Sequence, residues 1–471
     1  MKKVFKAIIM AILCNFYGSF AQGVDSYPSS IFVPRQLTFN PILENALMSD
    51  AQLTEEFDYI FCFKPIYTQT VGSKFQKYFT IGHKCLLSAK EDNSGDINPL
   101  WFKVISSDDS FYNSTLLFRP KRQTFGSLLY FAAQLPHNFK VTVNTALIIS
   151  KNDLHFSEKN IETDGTVSGY RTITQSFSNP KRLFGKICGD QIKTGFDDIQ
   201  VKVIYNPYQT ESLYFDLYGL LGIPTGSGSK ARFLFEPLVG SKHVQLGTGA
   251  NIDWSIKKND CIELSLLSEA KYRYAFKAEE YRSFDLKNNG QWSRYMLFVH
   301  KTDKNVTYPA INDLTFNAQV TPQSSFDLYL AMQCKHNAWS CELGYDFWYR
   351  SAETISLCKQ ELLNIAVADL KGIAATNPES ASMANISQGV QPGSNQMVSD
   401  ISFTPVSIND INLCSGAQSS SLSNSVYFSI GYKFDSKNYT TKIGINSAYE
   451  RDSSSSKPDT ISTWFNVNLY F

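Results

Sequence analysis

Apolar and polar residues alternate along many stretches of this chain, which is the pattern of a β-strand with two different faces. The clearest stretch is HVQLGTGANIDWSIK, residues 243–257. Leu246 and Trp254 fall on one face of this segment, whereas Gln245 and Asp253 fall on the other. The pattern therefore predicts a strand that is apolar on one side and polar on the other.

The same alternation predicts about twelve strands, within a range of twelve to fourteen. Two segments, 113–135 and 314–335, are each predicted as one long, bulged strand. The last strand ends on Phe471, the final residue. The other predicted strands are 57–69, 139–150, 196–206, 212–223, 242–256, 261–276, 339–350, 425–434, 439–450 and 460–471.

The connections between the predicted strands alternate between short and long. The short ones read LPHN, NPYQTE, KKND, KHNA and DSKN, and they contain Asn, Asp or Pro, which favour tight turns. A membrane barrel has short turns at one rim and long loops at the other, whereas a soluble β-sandwich has no reason for this sorting. The long connections are 70–112, 151–195, 224–241, 277–313, 351–424 and 451–459.

We therefore predict an all-β fold, an antiparallel transmembrane β-barrel with long extracellular loops and short periplasmic turns. A closed barrel satisfies every strand backbone internally, as lipid requires, with its apolar faces toward lipid and its polar faces toward the lumen. Aromatic residues make up 14% of the chain and charged residues only 18%, against about 25% charged in an average soluble domain. A secreted β-sandwich is the competing fold, because it also explains the alternation.

The first residues predict export. Lys2, Lys3 and Lys6 precede an apolar stretch, and Ser19-Phe20-Ala21 then provides a small-x-small cleavage pattern. The predicted organisation is a signal peptide at 1–21, a periplasmic or plug segment at 22–56, and the barrel at 57–471.

Two helices are expected outside the strands. One is short and lies in FNPILENALMSDAQL, residues 39–53. The other begins the long extracellular loop 351–424, where Leu357, Leu362 and Ile365 recur at helical spacing.

The final strand carries a resemblance to a known class of proteins. Phe465, Val467, Leu469 and Phe471 lie on one face of TWFNVNLYF, residues 463–471. A signal peptide together with a terminal Phe and these alternate apolar positions resembles Gram-negative outer-membrane barrels. The resemblance implies a location in the outer membrane, and it implies that these residues are the signal read by the barrel-insertion machinery.

A second resemblance spans roughly residues 195–256. GFDDIQVKVIY (195–205), GLLGIPTGSG (219–228) and LGTGANIDW (246–254) are similar to segments of outer-membrane channels for hydrophobic and aromatic compounds. These include the fatty-acid transporter and phenol-degradation channel types. The resemblance implies passive uptake of small solutes, apolar ones among them.

Polar residues on the predicted inner face are the candidates for a solute path. Both charge signs occur among them, so strong selectivity for cations or anions is not implied. The alternative is a structural network that braces the barrel wall. The candidates are Tyr214, Asp216, Glu263, Glu269, Lys271, Arg273, Asp327, Glu342, Asp346 and Arg350.

Catalysis is not expected. An outer-membrane lipid hydrolase needs Ser and His paired on the lipid-facing side, and none of the six histidines falls on such a position beside a Ser. No His/Cys cluster has zinc spacing, so we expect no metal site and no cofactor. The net charge of +1 gives no reason to expect a nucleic-acid partner.

Cys358 and Cys414 lie near opposite ends of the loop 351–424. A disulfide between them would close a loop that is otherwise costly to order. We therefore predict this pairing.

The sequence as a whole favours a porin-like outer-membrane channel for passive passage of small solutes. The alternative is a non-transporting surface barrel whose long outer loops bind a partner or a host surface. The expected partners are outer-membrane lipid, the barrel-insertion machinery and a small solute whose identity the sequence does not give.

Overall fold

Twelve antiparallel strands form a closed barrel in the computed structural model of the chain. Each strand is hydrogen-bonded to the next, and the last strand pairs with the first, so that Ile60 lies opposite Tyr470. The structure describes residues 58–90, 94–105, 112–163, 168–259, 261–300, 303–357, 365–368, 403–436, 438–453 and 457–471.

We number the barrel strands in chain order. The fourth strand has an outer and an inner segment, and the others are continuous. The strands are β1 Tyr59–Val71, β2 Lys121–Leu135, β3 Phe139–Asp153, β4 Gln191–Phe196 with Ile199–Gln209, β5 Leu213–Ile223, β6 Gln245–Lys258, β7 Ile262–Ala275, β8 Gln323–His336, β9 Trp339–Arg350, β10 Ser421–Asp435, β11 Thr440–Asp452 and β12 Asp459–Tyr470.

The predicted fold class and strand number are confirmed, but two predicted strands were too long. The predicted strand 113–135 divides into two. Its first part belongs to a strand, Tyr112–Leu117, that lies outside the barrel, and β2 begins at Lys121. The segment 314–335 divides in the same way between Thr315–Thr321 and β8. A proline interrupts each segment, Pro120 in one and Pro322 in the other. Proline has no N–H to donate to a strand ladder, so pairing stops there.

The outward face of the barrel is apolar. Large side chains along it are strongly exposed, including Phe125 at 54%, Leu343 at 58% and Ile445 at 61%. An exposed apolar surface of this extent is energetically favourable in lipid and unfavourable in water. The chain is therefore a membrane-spanning barrel of the outer-membrane type.

The long connections fold together above the barrel, and we call this part the cap. Its short α-helix, α1, covers Ile173–Ser178, and 3₁₀ turns occur at Lys74–Phe79, Ile81–His83, Pro99–Phe102, Ser293–Tyr295, Ala310–Asn312, Ile408–Asp410 and Leu413–Gly416. The cap strands are Leu86–Lys90, Val104–Ile105, Tyr112–Leu117, Ser157–Thr163, Ser168–Gly169, Ala278–Ser283, Asp285–Leu286, Leu297–His300, Asp303–Pro309, Thr315–Thr321, Thr354–Leu357, Ile365–Ala368, Phe403–Pro405 and Ile411–Asn412.

Aromatic side chains from different loops form the core of the cap. Trp292 lies 5.0 Å from Tyr295 and 6.3 Å from Phe177, measured between ring centroids in edge-to-face geometry. The buried guanidinium of Arg182 lies 5.0 Å from the Phe177 ring centroid. Such contacts add to the free energy of burying the rings, so the loops form a packed unit.

The predicted helix at the start of loop 351–424 is wrong for the residues that the structure describes. Thr354–Leu357 is a strand that pairs with Thr315–Thr321, and Ile365–Ala368 is a strand as well. Completing the edge of a sheet satisfies this backbone in place of helical hydrogen bonds. Within the described ranges, no helix is long and apolar enough to cross a membrane.

Several predictions fall outside the described residues. These are the signal peptide at 1–21, the segment at 22–56 and the helix at 39–53. Cys358 also lies outside them, so its pairing with Cys414 stays a prediction.

Candidate functional site

The polar residues predicted to face the lumen are on the inner side of the barrel. Most of them are buried: Asp346 is 0% exposed and Lys271 is 1% exposed. Tyr214 and Glu263 are partly buried and are the exceptions. The described lumen side chains therefore do not line a wide aqueous pore. Their role in solute passage stays a prediction.

Three strands, β4, β7 and β8, bring a group of charged residues together in the lumen. The Lys202 ammonium lies 3.3 Å from Glu269 Oε1 and 4.8 Å from the Tyr218 ring centroid. The Lys271 ammonium lies 3.4 Å from Asp327 Oδ2 and 3.9 Å from Glu269 Oε2. Buried charges are tolerated when they are paired in this way, whereas removal of one partner is strongly destabilising.

Other predicted residues belong to separate contacts. Asp216 accepts a hydrogen bond from Asn206 at 3.1 Å. Glu342 accepts one from the Tyr329 hydroxyl at 2.6 Å. Glu263 lies 3.4 Å from Lys335, in a partly exposed pair near the periplasmic rim.

Three predicted residues complete the set. Arg273 is buried on β7, between strands β6 and β8, and Asp346 is buried on β9. Arg350 lies at the outer end of β9, where its Nη1 is 3.6 Å from Glu353. The ten candidates therefore do not form one site, because they are distributed along the length of the lumen.

The barrel wall is interrupted at β4. Asp197 and Asp198 separate the outer segment of β4 from its inner segment. The inner segment pairs with β3 on one side and β5 on the other, whereas the outer segment pairs only with β3. No backbone hydrogen bond joins residues 191–196 to residues 224–228 among those the structure describes. We call this open edge the seam.

Side chains hold the chain near the seam where backbone pairing is absent. Thr225 Oγ1 donates to the Asp197 carbonyl at 2.6 Å. Asp198 accepts from the Gly226 N–H at 3.2 Å and from the Ser241 N–H at 3.0 Å. One carboxylate therefore connects both arms of residues 224–243, which we call the seam hairpin.

The arms of the seam hairpin approach each other too closely for side chains at the crossing. A Cβ atom on Gly226 would lie 2.4 Å from the Gly240 Cα, and Gly240 has a φ of +72°. Only glycine fits this approach and this backbone conformation without strain. The crossing thus determines where Val239, the residue before Gly240, is placed.

Val239 fills the inner side of the seam. It is fully buried, and its Cγ1 lies 3.5 Å from the position that a Cβ would occupy on Gly195 of β4. On the outer side, Ile192 is 65% exposed and Phe196 is 55% exposed. The seam is therefore bounded by lipid-facing apolar side chains outside, and inside by Val239 and by Lys193, whose Nζ donates to the Ser227 carbonyl at 3.5 Å.

The pattern of the sequence does not reveal the residues of the seam. It predicts a loop at 191–195 and a strand that begins at Phe196, whereas β4 begins at Gln191. The signal for the break was the adjacent pair Asp197-Asp198 within an alternating segment. The role of Val239 has no signal of this kind, because it depends on a contact between two distant segments.

Ser241 and His243 lie beside the seam but do not form a nucleophile and base pair. The Ser241 hydroxyl contacts Asp198. The ring nitrogens of His243 lie 2.7 Å from the Phe276 carbonyl oxygen and 2.8 Å from Glu280 Oε1. Among the described residues, no group of His, Cys, Asp and Glu could hold a metal ion.

The fold is similar to solved outer-membrane proteins. The COG4313 outer membrane channel from Pseudomonas putida F1 is 10% identical over 90% of this chain and 98% of that one, with a TM-score of 0.39. The transport unit of the autotransporter AIDA-I from Escherichia coli is 7% identical over 91% and 95%, with a TM-score of 0.33. A Pseudomonas aeruginosa FadL homologue is 8% identical over 88% and 90%, with a TM-score of 0.29.

No protein-family model and no curated protein matches the chain. At such low identities and TM-scores, the structural likeness carries no argument about solute or mechanism. Arguments about function therefore depend on the lumen and the seam themselves.

Proposed function

We propose that the protein is an outer-membrane channel for passive passage of small hydrophobic solutes, which cross the barrel wall at the seam. The observation that carries this proposal is the outer segment of β4, which pairs on one side only, with Val239 behind it and Ile192 and Phe196 in front of it. In the described residues, the other neighbouring barrel strands are paired along most of their length, although the ladder between β1 and β12 skips Lys64 and Pro65 and the ladder between β6 and β7 contains a bulge. The seam is where the least backbone pairing must be broken to open the wall.

The properties of the lumen favour a hydrophobic solute that crosses the barrel wall over a polar solute that moves along the barrel axis. The buried charges of the lumen are already paired, for example Lys202 with Glu269. The cap closes over the barrel with a packed aromatic core. An apolar molecule is favoured in lipid over water, so a side exit delivers it into the phase that it prefers.

A disulfide across the seam tests the route. The Val239 Cβ lies 3.7 Å from the Cβ position of Gly195, within the roughly 3.5–4.5 Å that a disulfide requires. We expect Gly195→Cys/Val239→Cys to take up toluene and oleate slowly when oxidised and to recover when reduced. The single variants are the matched controls, and sucrose is the polar control solute.

The outcomes separate the route from the function. Unchanged uptake of the hydrophobic probes by the oxidised double variant would reject the seam as the route. No protein-dependent uptake of any probe by the unmodified protein would reject the channel.

A surface role is the second candidate function, and the folded cap is the observation that favours it. The cap core contains large side chains from several loops, including Trp101, Phe118 and Trp292, and packing of this kind can present a fixed surface. Well-folded protein that never conducts in planar bilayers and never takes up a hydrophobic probe would support this role.

A further inference from the structure

His243 is placed to control the seam hairpin. It ends the return arm of the hairpin, two residues before β6 begins, and it is 2% exposed. Its Nδ1 faces the Phe276 carbonyl oxygen at 2.7 Å, and its Nε2 faces Glu280 Oε1 at 2.8 Å. The ring therefore fastens the arm to the base of the next long loop.

Both atoms that face the ring are hydrogen-bond acceptors. A carbonyl oxygen always accepts, and so does an ionised carboxylate. A neutral imidazole has one N–H and can satisfy only one of them, whereas the imidazolium satisfies both. Of the two forms of the ring, only the imidazolium can donate to both atoms at once.

Arg282 keeps the Glu280 carboxylate ionised. Arg282 Nη2 lies 2.9 Å from Glu280 Oε2, on the side away from His243. Burial alone would raise the pKa of Glu280, but Arg282, the hydrogen bond and charge of His243, and Lys242 hold it below its ordinary value. A protonated Glu280 that donates to a neutral ring is thereby disfavoured.

Each structural element packed against His243 contributes charged groups near its ring. Glu280 and Arg282 come from the cap strand Ala278–Ser283. Arg350 and Glu353 lie behind Arg282, where Glu353 is 3.4 Å from the Arg282 guanidinium. Asp198 approaches from the break in β4, and Lys242 precedes His243 in the chain.

We propose that His243 is a proton-dependent latch on the seam. The protonated ring holds the return arm, and through it Val239, in the closed position. When the proton leaves to solvent, one of the two hydrogen bonds is lost, and a bare ring nitrogen faces either a carbonyl oxygen or a carboxylate. The arm is then freer to move, so the seam opens more readily as pH rises. This inference rests on the proposed function of the seam.

A cysteine at Val239 reports the position of the arm. In a background whose other cysteines are replaced by serine, we would compare N-ethylmaleimide labelling of Val239→Cys in two proteins, one with His243 and one with His243→Gln. Gln does not titrate, so the ratio of the two rates removes the pH dependence of the thiol itself. Loss of a hydrogen bond to a charged group predicts that the ratio rises about tenfold from acid to alkaline pH.

Glu280→Gln and Glu279→Gln form a matched pair for the same assay. Glu279 is exposed and its carboxylate accepts a hydrogen bond from Asn317, whereas the Glu280 carboxylate faces His243 Nε2. We expect Glu280→Gln to abolish the pH dependence and Glu279→Gln to keep it. A constant ratio in the His243 protein, or equal behaviour of the two Glu variants, would overturn the latch.

Amide hydrogen exchange tests the latch without any substitution. The Gly226 and Ser241 amides, which donate to Asp198, should lose protection as pH rises after correction for the intrinsic exchange rate. The Arg294 amide, which donates to Asp285 in the cap, is the reference. Equal changes at all of these amides would also overturn the latch. Neither assay measures transport, so a latch that works in a protein without uptake would reject only the proposed function.

Discussion

The buried ion pair of Asp285 and Arg294 offers a test of whether the cap is one folded unit. Arg294 Nε lies 2.8 Å from Asp285 Oδ1, and Arg294 Nη2 lies 2.8 Å from Asp285 Oδ2. Arg294 also donates to the carbonyls of Ser283 and Ser415, so the pair joins two of the long loops. Burial disfavours charge on Arg294, but Asp285 raises the pKa of the guanidinium above its ordinary value.

We expect Asp285→Asn to weaken the cap strongly. Asp285 is 0% exposed and Arg294 is 2% exposed, so the substitution leaves a buried cation without its counter-charge. Breaking such a pair costs about 3–5 kcal/mol. Because about 1.4 kcal/mol corresponds to a tenfold change, the open fraction of the cap should rise by roughly two to four orders of magnitude.

Limited proteolysis of the cap on intact cells measures this effect, because cleavage follows the open fraction when closing is fast. The control is Asp190→Asn, which removes an ion pair with Lys151 on the same side of the membrane. Both of those side chains are more than 40% exposed, so little change is expected. The double variant Asp285→Leu/Arg294→Met should recover part of the stability, because no unpaired charge remains. Equal cleavage rates for Asp285→Asn and Asp190→Asn would refute the reasoning.

Two further predictions concern the barrel. Gly344→Ala should lower the free energy of unfolding, measured with denaturant in liposomes, by about 1–3 kcal/mol more than Gly219→Ala does. A Cβ on Gly344 would lie 1.9 Å from the Tyr427 ring, whereas a Cβ on Gly219 meets nothing within 4 Å. Equal denaturation midpoints for the two variants would contradict this prediction. Deletion of Phe471 should lower the amount of protein in the outer membrane more than it lowers the stability of refolded protein. The reason is that Phe471 contacts Tyr59 through only two backbone hydrogen bonds and one ring contact. A normal amount of the truncated protein in the outer membrane would contradict the predicted insertion signal.

The barrel was predictable because its physical cause is local. A strand between lipid and a polar lumen must alternate with period two, and a tight turn needs residues that accept its backbone angles. The turn between β2 and β3 illustrates this, since His137 and Asn138 both have a φ of +62°. In the last strand, Asn466 and Asn468 alternate with Phe465, Val467 and Leu469, and each of the two Asn residues is 1% exposed.

The lengths of two strands were predicted wrongly, although the sequence contained the residues that end them. Pro120 and Pro322 mark the ends of pairing, and the apolar alternation continues past both of them. Alternation shows that a segment is extended, but it does not show which sheet the segment joins. The outer pieces therefore belong to the cap, where they bury their side chains against other loops.

By itself, the sequence determined the class of fold, the number of strands and the inward direction of the charged residues, since these follow from side-chain periodicity. Only the tertiary structure decided which of those charges pair, as Lys202 and Glu269 are 67 positions apart. It also decided that the wall has a seam, because Val239 reaches Gly195 only after residues 224–243 fold back on themselves. Contacts of this kind depend on loop closure in three dimensions, and no local pattern in the chain encodes them.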